Sequence, residues 1–231
     1  MASQPGCVVV IDVLRAFTTA AVALAAGAGP YELVATVDDA HARRADDPSV
    51  RLLGEVDGIT AEGFDHGNSP TALDGVDLSG VPIVHRSSAG TQGVVRATSA
   101  DRVLTASFAV AGATAAALTG EARISFCVTG AHSGRDGEED RACGEYIAAL
   151  LTADGPVDPA PFTDRVAASD AAALFTEPGS DLPPDDVPYA QVVDRFDFAM
   201  EVALARVGDQ DRHHLRPLHP AHRPAHGGSP R

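Results

Sequence analysis

The sequence predicts an α/β fold: a single compact domain of repeated βα units on a largely parallel or mixed sheet flanked by helices. Three observations carry that prediction. The apolar stretch Cys7-Val-Val-Val-Ile-Asp-Val13 runs into an Ala-rich segment from Ala16 to Ala26 that closes on Gly27, the pattern of a strand buried on both faces feeding a helix. The same alternation of strand and helix continues as far as Ala153, and such winding favours parallel pairing. With 231 residues, 45% of them hydrophobic, the chain can bury one sizeable core.

The elements follow in order. After the first strand and helix, Tyr31 to Thr36 reads as a strand, Asp38 to Ala45 as a short helix capped by Asp38, and Arg51 to Gly54 as a third strand. From Glu55 to Leu78 the periodicity is lost to Gly, Asp, Asn and Pro, which marks a long loop of the kind that carries function. Pro82 to His85 resumes as a strand, Ser87 to Gly93 is a Gly-rich turn, and Val94 to Ala97 continues as helix. Arg102 to Ala106 and Arg123 to Val128 are strands, Ala109 to Leu118 is a helix ended by Gly120, Thr129 to Gly137 is a polar loop, and Glu138 to Ala153 is a helix. Downstream of Gly155, Pro and Asp become frequent, and helices are predicted at Asp164 to Phe175 and Ala190 to Val207. Residues 209–231 hold five of the nine His with repeated Pro, Gly and Arg, the composition of a disordered tail behind a domain of residues 1–208.

Charge and cysteine content narrow the function. Seventeen basic against 32 acidic residues leave a net charge of −15, which argues against nucleic acid and anionic membrane surfaces as partners. The same charge repels an anionic substrate unless a cation or a local Arg reverses the potential in the site. Three Cys form no disulfide framework, no signal-like segment precedes Cys7, and no apolar run approaches the ~20 residues of a membrane span. A cytoplasmic protein is expected, and its Ala-rich helices suit packing within the chain or in a homo-oligomer.

The candidate chemistry gathers at predicted strand ends, where open α/β sheets bind ligands. Asp12 and Arg15 stand at the first strand-to-helix join, facing any bound anion or metal; a purely structural role, with Asp12 capping the helix and Arg15 pairing with it, fits the same residues. A loop from Gly54-Glu55 through Glu62-Gly-Phe-Asp-His-Gly-Asn-Ser-Pro70 packs Glu55, Glu62, Asp65, Asn68 and Ser69 together, a density of hard oxygen donors that suits Mg²⁺ but also builds ordinary turns. Ser87-Ser-Ala-Gly-Thr-Gln-Gly93 leads into a helix whose free N–H groups and hydroxyls can cradle a phosphate, although it lacks the Gly-Lys-Ser/Thr ending of a Walker A loop. Glu138-Glu139-Asp140 open a further helix, where the dipole favours acidic residues in any case. No Gly-x-Ser-x-Gly elbow, Asp-x-Asp after the first strand, or dinucleotide fingerprint is present.

Taken together, these blocks resemble the 2-phosphosulfolactate phosphatase family, Mg²⁺-dependent enzymes associated with coenzyme M biosynthesis. The matching segments are Val10-Ile-Asp-Val-Leu-Arg-Ala16, Gly54-Glu55, Glu62 to Pro70, Ser87 to Gly93, Ala106-Ser-Phe108, and Glu139-Asp140 with Cys143. The resemblance implies hydrolysis of the phosphate monoester of 2-phospho-3-sulfolactate to 3-sulfolactate and phosphate. By it, Asp12, Arg15 and Glu139 are the catalytic candidates, and Asp12, Glu55, Asp65 and Asp140 the candidates for holding Mg²⁺. Substrate binding falls to Ser87, Ser88, Gly90, Thr91, Ser107 and Asn68. Attack by water and attack by Asp12 to give an aspartyl-phosphate both remain open. Two departures bear on the substrate: the family usually has Thr-Asn-Gly-Thr where this chain has Ser88-Ala-Gly-Thr91, and Asn shortly after Ser-Phe where Val110 and Ala111 stand. They imply as alternatives a phosphatase for another small phosphorylated carboxylic acid, or a phosphate-ligand binding protein with reduced turnover.

Overall fold

The computed structural model describes residues 6–97, 99–130, 135–207 and 210–220. Its strands β1 (Cys7–Ile11), β2 (Tyr31–Val34), β3 (Arg51–Val56), β4 (Ile59–Thr60), β5 (Ile83–Arg86), β6 (Arg102–Ala106), β7 (Ile124–Val128), β8 (Ala199–Val207) and β9 (Gln210–Leu218) form one sheet, in the order β4-β3-β5-β2-β9-β8-β6-β1-β7. The helices are α1 (Ala16–Ala25), α2 (Val37–Asp46), α3 (Pro70–Leu73), α4 (Gly90–Arg96), α5 (Ala111–Ala117), α6 (Glu138–Thr152), α7 (Ala160–Ala167), α8 (Asp170–Ala173) and α9 (Asp186–Ala190), with a 3-10 turn at Phe108–Val110. The mixed α/β sheet is the predicted class. β1 runs parallel to β6 and β7, and β5 parallel to β2 and β3, while the antiparallel β8–β9 hairpin joins the two parallel groups through β6 and β2.

The sheet curves strongly. Five strand steps separate β5 from β1 in that order, which at ~4.8 Å per step would span roughly 24 Å if flat. Yet Gly90, just beyond β5, approaches Asp12, just beyond β1, so closely that a Cβ on the glycine would lie 2.7 Å from Asp12 Oδ2. The curvature closes around α1, on which nine residues from Ala16 to Leu24 are buried, and α4, which packs against β1, β2 and α1. A helix apolar on every face belongs in such an interior.

Most predicted elements stand within a few residues of their expected places. The exceptions are the loop expected from Glu55 to Leu78, which also holds β4 and α3, the helix expected over Asp164 to Phe175, which is divided into α7 and α8, and the C-terminal end. The helix predicted over Ala190 to Val207 is instead the end of α9 followed by β8, because Ala, Leu, Met and Glu favour a helix locally while pairing with β6 and β9 decides the outcome. The disordered tail expected over 209–231 is contradicted over Gln210–Leu218, which is β9, its Leu215 buried and its ladder to β8 running from Gln210 to Leu218. Residues 221–231 of that tail, and 131–134 of the predicted polar loop, lie outside the described residues. The short helix after β2 is capped by Thr36 rather than Asp38, in a reciprocal capping box with Asp39.

Candidate active site

Asp12 follows β1, is 5% exposed, and is held from two sides. Its Oδ1 accepts from the Ala16 amide at 2.9 Å and the carboxylate also accepts from the Gly90 amide, so the starts of α1 and α4 both aim at it. The capping role is therefore real. The expected pairing with Arg15 is not: Arg15 Nη1 donates to Asp186 Oδ2 at 3.0 Å and Nη2 to the Gly58 carbonyl at 3.1 Å, with the guanidinium 5.3 Å from the centre of the Phe175 ring. Asp186 is fully buried, and its Oδ1 accepts from Ser69 Oγ, the Thr71 amide and Thr71 Oγ1. Sequence reasoning missed Asp186, which nothing local distinguishes from Asp181 or Asp185.

Glu55, near the end of β3, ties that strand to the turn after β5. Its Oε1 accepts from the Ser88 amide at 2.5 Å, and its Oε2 from the Gly58 amide at 2.6 Å and Ser88 Oγ at 3.1 Å. Arg86 Nη1 donates to the Glu55 carbonyl and to Ser88 Oγ. Ser87 and Thr91 satisfy one another: each side-chain oxygen accepts from the other's amide, and Thr91 Oγ1 also donates to the Ser87 carbonyl. They start α4 rather than present hydroxyls to a ligand.

Glu139 and Asp140 open α6 side by side, with different surroundings. Asp140 is a fastener: Oδ1 accepts from the Val13 amide at 2.7 Å, and Oδ2 from the Gly130 amide at 2.7 Å and the Thr129 amide at 3.1 Å, locking the ends of β1 and β7 together. Glu139 is 2% exposed and its Oε2 has no hydrogen-bond partner; its Oε1 lies against Gly130, where a Cβ would collide with it. Burial, followed by the charge of Glu55, pushes the Asp12 carboxyl up to about 6. Burial and the Asp12 charge also raise Glu139, and burial with the Asp12 and Glu139 charges raises Asp140 well above the ordinary range. Arg135, a cation the sequence reading did not single out, lowers both Asp12 and Glu139.

Asp12, Glu55 and Arg135 border a cavity of about 350 Å³, lined also by Arg15, Asn68 and Ser88 and by the apolar Leu14, Ala89, Leu174, Phe175 and Leu182, whereas Glu139 and Asp140 do not line it. Asn68 is 4% exposed with its Oδ1 unpartnered. Ser107, just past β6, is buried with its Oγ unpartnered, but does not line the cavity. Asp65 does not join the site: its carboxylate accepts from the Leu52 amide and pairs with Arg44, near the opposite end of β3 from Glu55. Val110 and Ala111 lie in the core, so of the two departures only Ala89 touches the cavity. Among the described residues no group of three or more His, Cys, Asp or Glu is placed to hold a metal ion. The oxygens free for one among the described residues include the unpartnered Glu139 Oε2 and Asn68 Oδ1 and the remaining lone pairs of Asp12, a donor set that suits Mg²⁺, which binds through one or two carboxylates and keeps its waters.

A buried acid held by two helix starts, beside an arginine-bearing cavity on an α/β sheet, fits an enzyme of phosphate esters, and the chain's relatives give the class: it is a phosphoric monoester hydrolase. The family model described as 2-phosphosulpholactate phosphatase matches residues 1–182, and the chain belongs to that family. It is 30% identical over 195 residues to a probable 2-phosphosulfolactate phosphatase of Bacillus subtilis (strain 168), covering 84% of this chain and 86% of the relative. It is 34% identical over 188 residues to one of Carboxydothermus hydrogenoformans, covering 80% and 73%. A relative from Deinococcus radiodurans is 43% identical over 93 residues, covering 40% and 39%. Among the described residues, no helix is long and apolar enough to cross a membrane.

Proposed function

We propose that this phosphatase hydrolyses the phosphate monoester of 2-phospho-3-sulfolactate in a Mg²⁺-dependent reaction. The observation that carries the reading is Asp12 at the cavity wall, held between the starts of α1 and α4, near enough for its charge to act on the buried Glu139, whose Oε2 is unpartnered. Asp12 and Glu139 would hold the ion, which when bound supplies Lewis acidity and offsets the charge of a polyanionic substrate. Glu55 and Asp140, whose oxygens are occupied by backbone amides, keep the pocket in shape. Arg15 and Arg135 meet the anion, and Asn68 lines the same cavity with its carbonyl oxygen unpaired. One of these acids, Asp12 or Glu139, would orient or deprotonate the attacking water.

Phosphate release from 2-phospho-3-sulfolactate tests this directly, with Mg²⁺, with EDTA, and with Asp12→Asn. Activity that survives both EDTA and the substitution refutes the metal-carboxylate mechanism. A second reading, hydrolysis of another small phosphorylated carboxylic acid, draws on Ala89, which lines the cavity without a polar group. A substrate panel read by free phosphate separates the two, since the first requires the sulfonate-bearing phosphate ester to give the highest kcat/KM.

A further inference from the structure

We infer that Asp186 is a positioning residue for substrate anion binding: it holds the Arg15 guanidinium in a fixed pose at the cavity wall. The inference rests on the reading of Arg15 as the group that meets the anion. Asp186 lies beyond residue 182, where the family match ends, and 171 positions along the chain from Arg15.

Its two oxygens divide the work. Oδ1 collects three donors, Ser69 Oγ at 2.8 Å, the Thr71 amide at 3.1 Å and Thr71 Oγ1 at 2.5 Å, and Oδ2 turns to Arg15 Nη1 at 3.0 Å. The carboxylate is thus fixed by the start of α3 and cannot rotate to follow a moving arginine. The guanidinium is caught on two further sides, by the Gly58 carbonyl at 3.1 Å and by the Phe175 ring. Arg15 carries five N–H donors in a rigid plane, two of which are spent on these contacts, so the plane still presents donors to the cavity it lines. Unpaired, the side chain would have to lose its rotamer freedom each time substrate bound; held by Asp186, that freedom is already lost in the folded protein. Asp186 also offsets the arginine's charge, so Arg15 contributes direction more than net attraction.

A double-mutant cycle of Arg15→Ala and Asp186→Asn tests this, scored by kcat/KM for phosphate-ester hydrolysis and by the calorimetric Kd for inorganic phosphate, with circular dichroism to establish folding. Asp186→Asn alone is expected to lower kcat/KM on the order of 10–100-fold, the scale of a displaced positioning group, and to weaken phosphate binding. In the Arg15→Ala background the same change should cost less than about two-fold in both readouts, because neighbours that act as a unit are not additive. Losses that multiply, or an Asp186→Asn chain that binds phosphate as tightly as wild type, overturn the inference. Should Asp186→Asn fail to fold, Thr71→Val, which removes only the hydroxyl on Asp186 Oδ1, takes its place with the same criteria. A chain without measurable turnover contradicts the phosphatase reading alone, and the cycle in phosphate affinity still decides the role of Asp186.

Discussion

Gly90→Ala sets two effects of known size against each other. An added methyl in a helix favours folding by up to about 1 kcal/mol through propensity. Here, however, the Cβ would sit 2.7 Å from Asp12 Oδ2, 3.0 Å from Asp12 Cβ and 3.1 Å from Ala16 Cβ, where ordinary contact begins near 3.4 Å. Asp12 cannot yield the missing ~0.7 Å freely, since its Oδ1 is pinned by the Ala16 amide, and α4 is wedged against β1 and α1. Crowding of this kind costs about 1–3 kcal/mol, so a net loss of roughly 1–2 kcal/mol is expected. Displacing the carboxylate should lower kcat/KM by about 100-fold. Gly93→Ala is the matched control: its Cβ would crowd Val10 Cγ1 at 2.7 Å and Thr129 Cγ2 at 2.9 Å, so it should lose comparable stability with a much smaller loss of kcat/KM. Urea unfolding and phosphate release on all three chains provide the measurements. A Gly90→Ala chain as stable and as active as wild type refutes the reasoning.

Three further outcomes follow from the same geometry. Asp140→Asn presents one acceptor where the Val13, Gly130 and Thr129 amides need two oxygens, and it should lose about 1–3 kcal/mol in a urea melt; a loss under 0.5 kcal/mol would contradict its fastening role. Mg²⁺ should raise the melting temperature of wild type but not of Glu139→Gln with Asp12→Asn, since only a ligand bound to the folded state stabilises it; equal shifts in both chains place the ion elsewhere. His85 is fully buried, bonded through Nδ1 to Tyr31 Oη, and pushed down by burial to about 3 from 6.5. The unfolded chain therefore takes up a proton below pH 6.5 that the folded chain refuses, so stability falls with pH through that window, by about 2 kcal/mol at pH 5. Raised carboxyls such as Asp12 act in the opposite sense, favouring the fold at low pH and losing that advantage as pH climbs to about 6. The difference in unfolding free energy between wild type and His85→Gln cancels that contribution, and it should shrink between pH 7.5 and pH 5; a constant difference shows that His85 titrates normally.

The parallel strands were legible because each is a short branched run with its own stop signal. Cys7–Ile11 is buried between the parallel strands Arg102–Ala106 and Ile124–Val128, so local pattern and tertiary outcome agree. Ala199–Val207 and Gln210–Leu218 were not legible. The first has helix-forming composition, and the second is rich in His and Arg. What makes them strands is the long gap between β2 and β6 that an antiparallel hairpin fills, a demand set by the rest of the sheet and absent from their own residues. The curvature that brings β5 beside β1 was equally invisible, although it is what turns separate strand ends into one site.

Within the site, residue type was legible and residue role was not, because a buried carboxylate is defined by what donates to it. Glu139 and Asp140 are neighbours on the first turn of one helix, and by sequence both suit a metal or a dipole. The fold gives Asp140 three backbone amides, one of them 127 positions away at Val13, and leaves Glu139 Oε2 with none. A carboxylate whose lone pairs face amides has little left for an ion, whereas one buried without donors carries a desolvation cost that a bound cation would relieve. The same logic separates Asp12 from Asp65, which is drawn away by Leu52 and Arg44. It also explains Arg15, which the sequence paired with the acid three residues before it and the fold pairs with Asp186: a cation held beside its own counter-ion can direct an anion without trapping it. In a chain of net charge −15, the attraction of substrate would then fall to the proposed Mg²⁺, so EDTA should weaken the binding of a trianionic ester more than that of a dianionic one, measured as the ratio of their KM values with and without Mg²⁺. A ratio unchanged by chelation would show that the protein's own cations suffice.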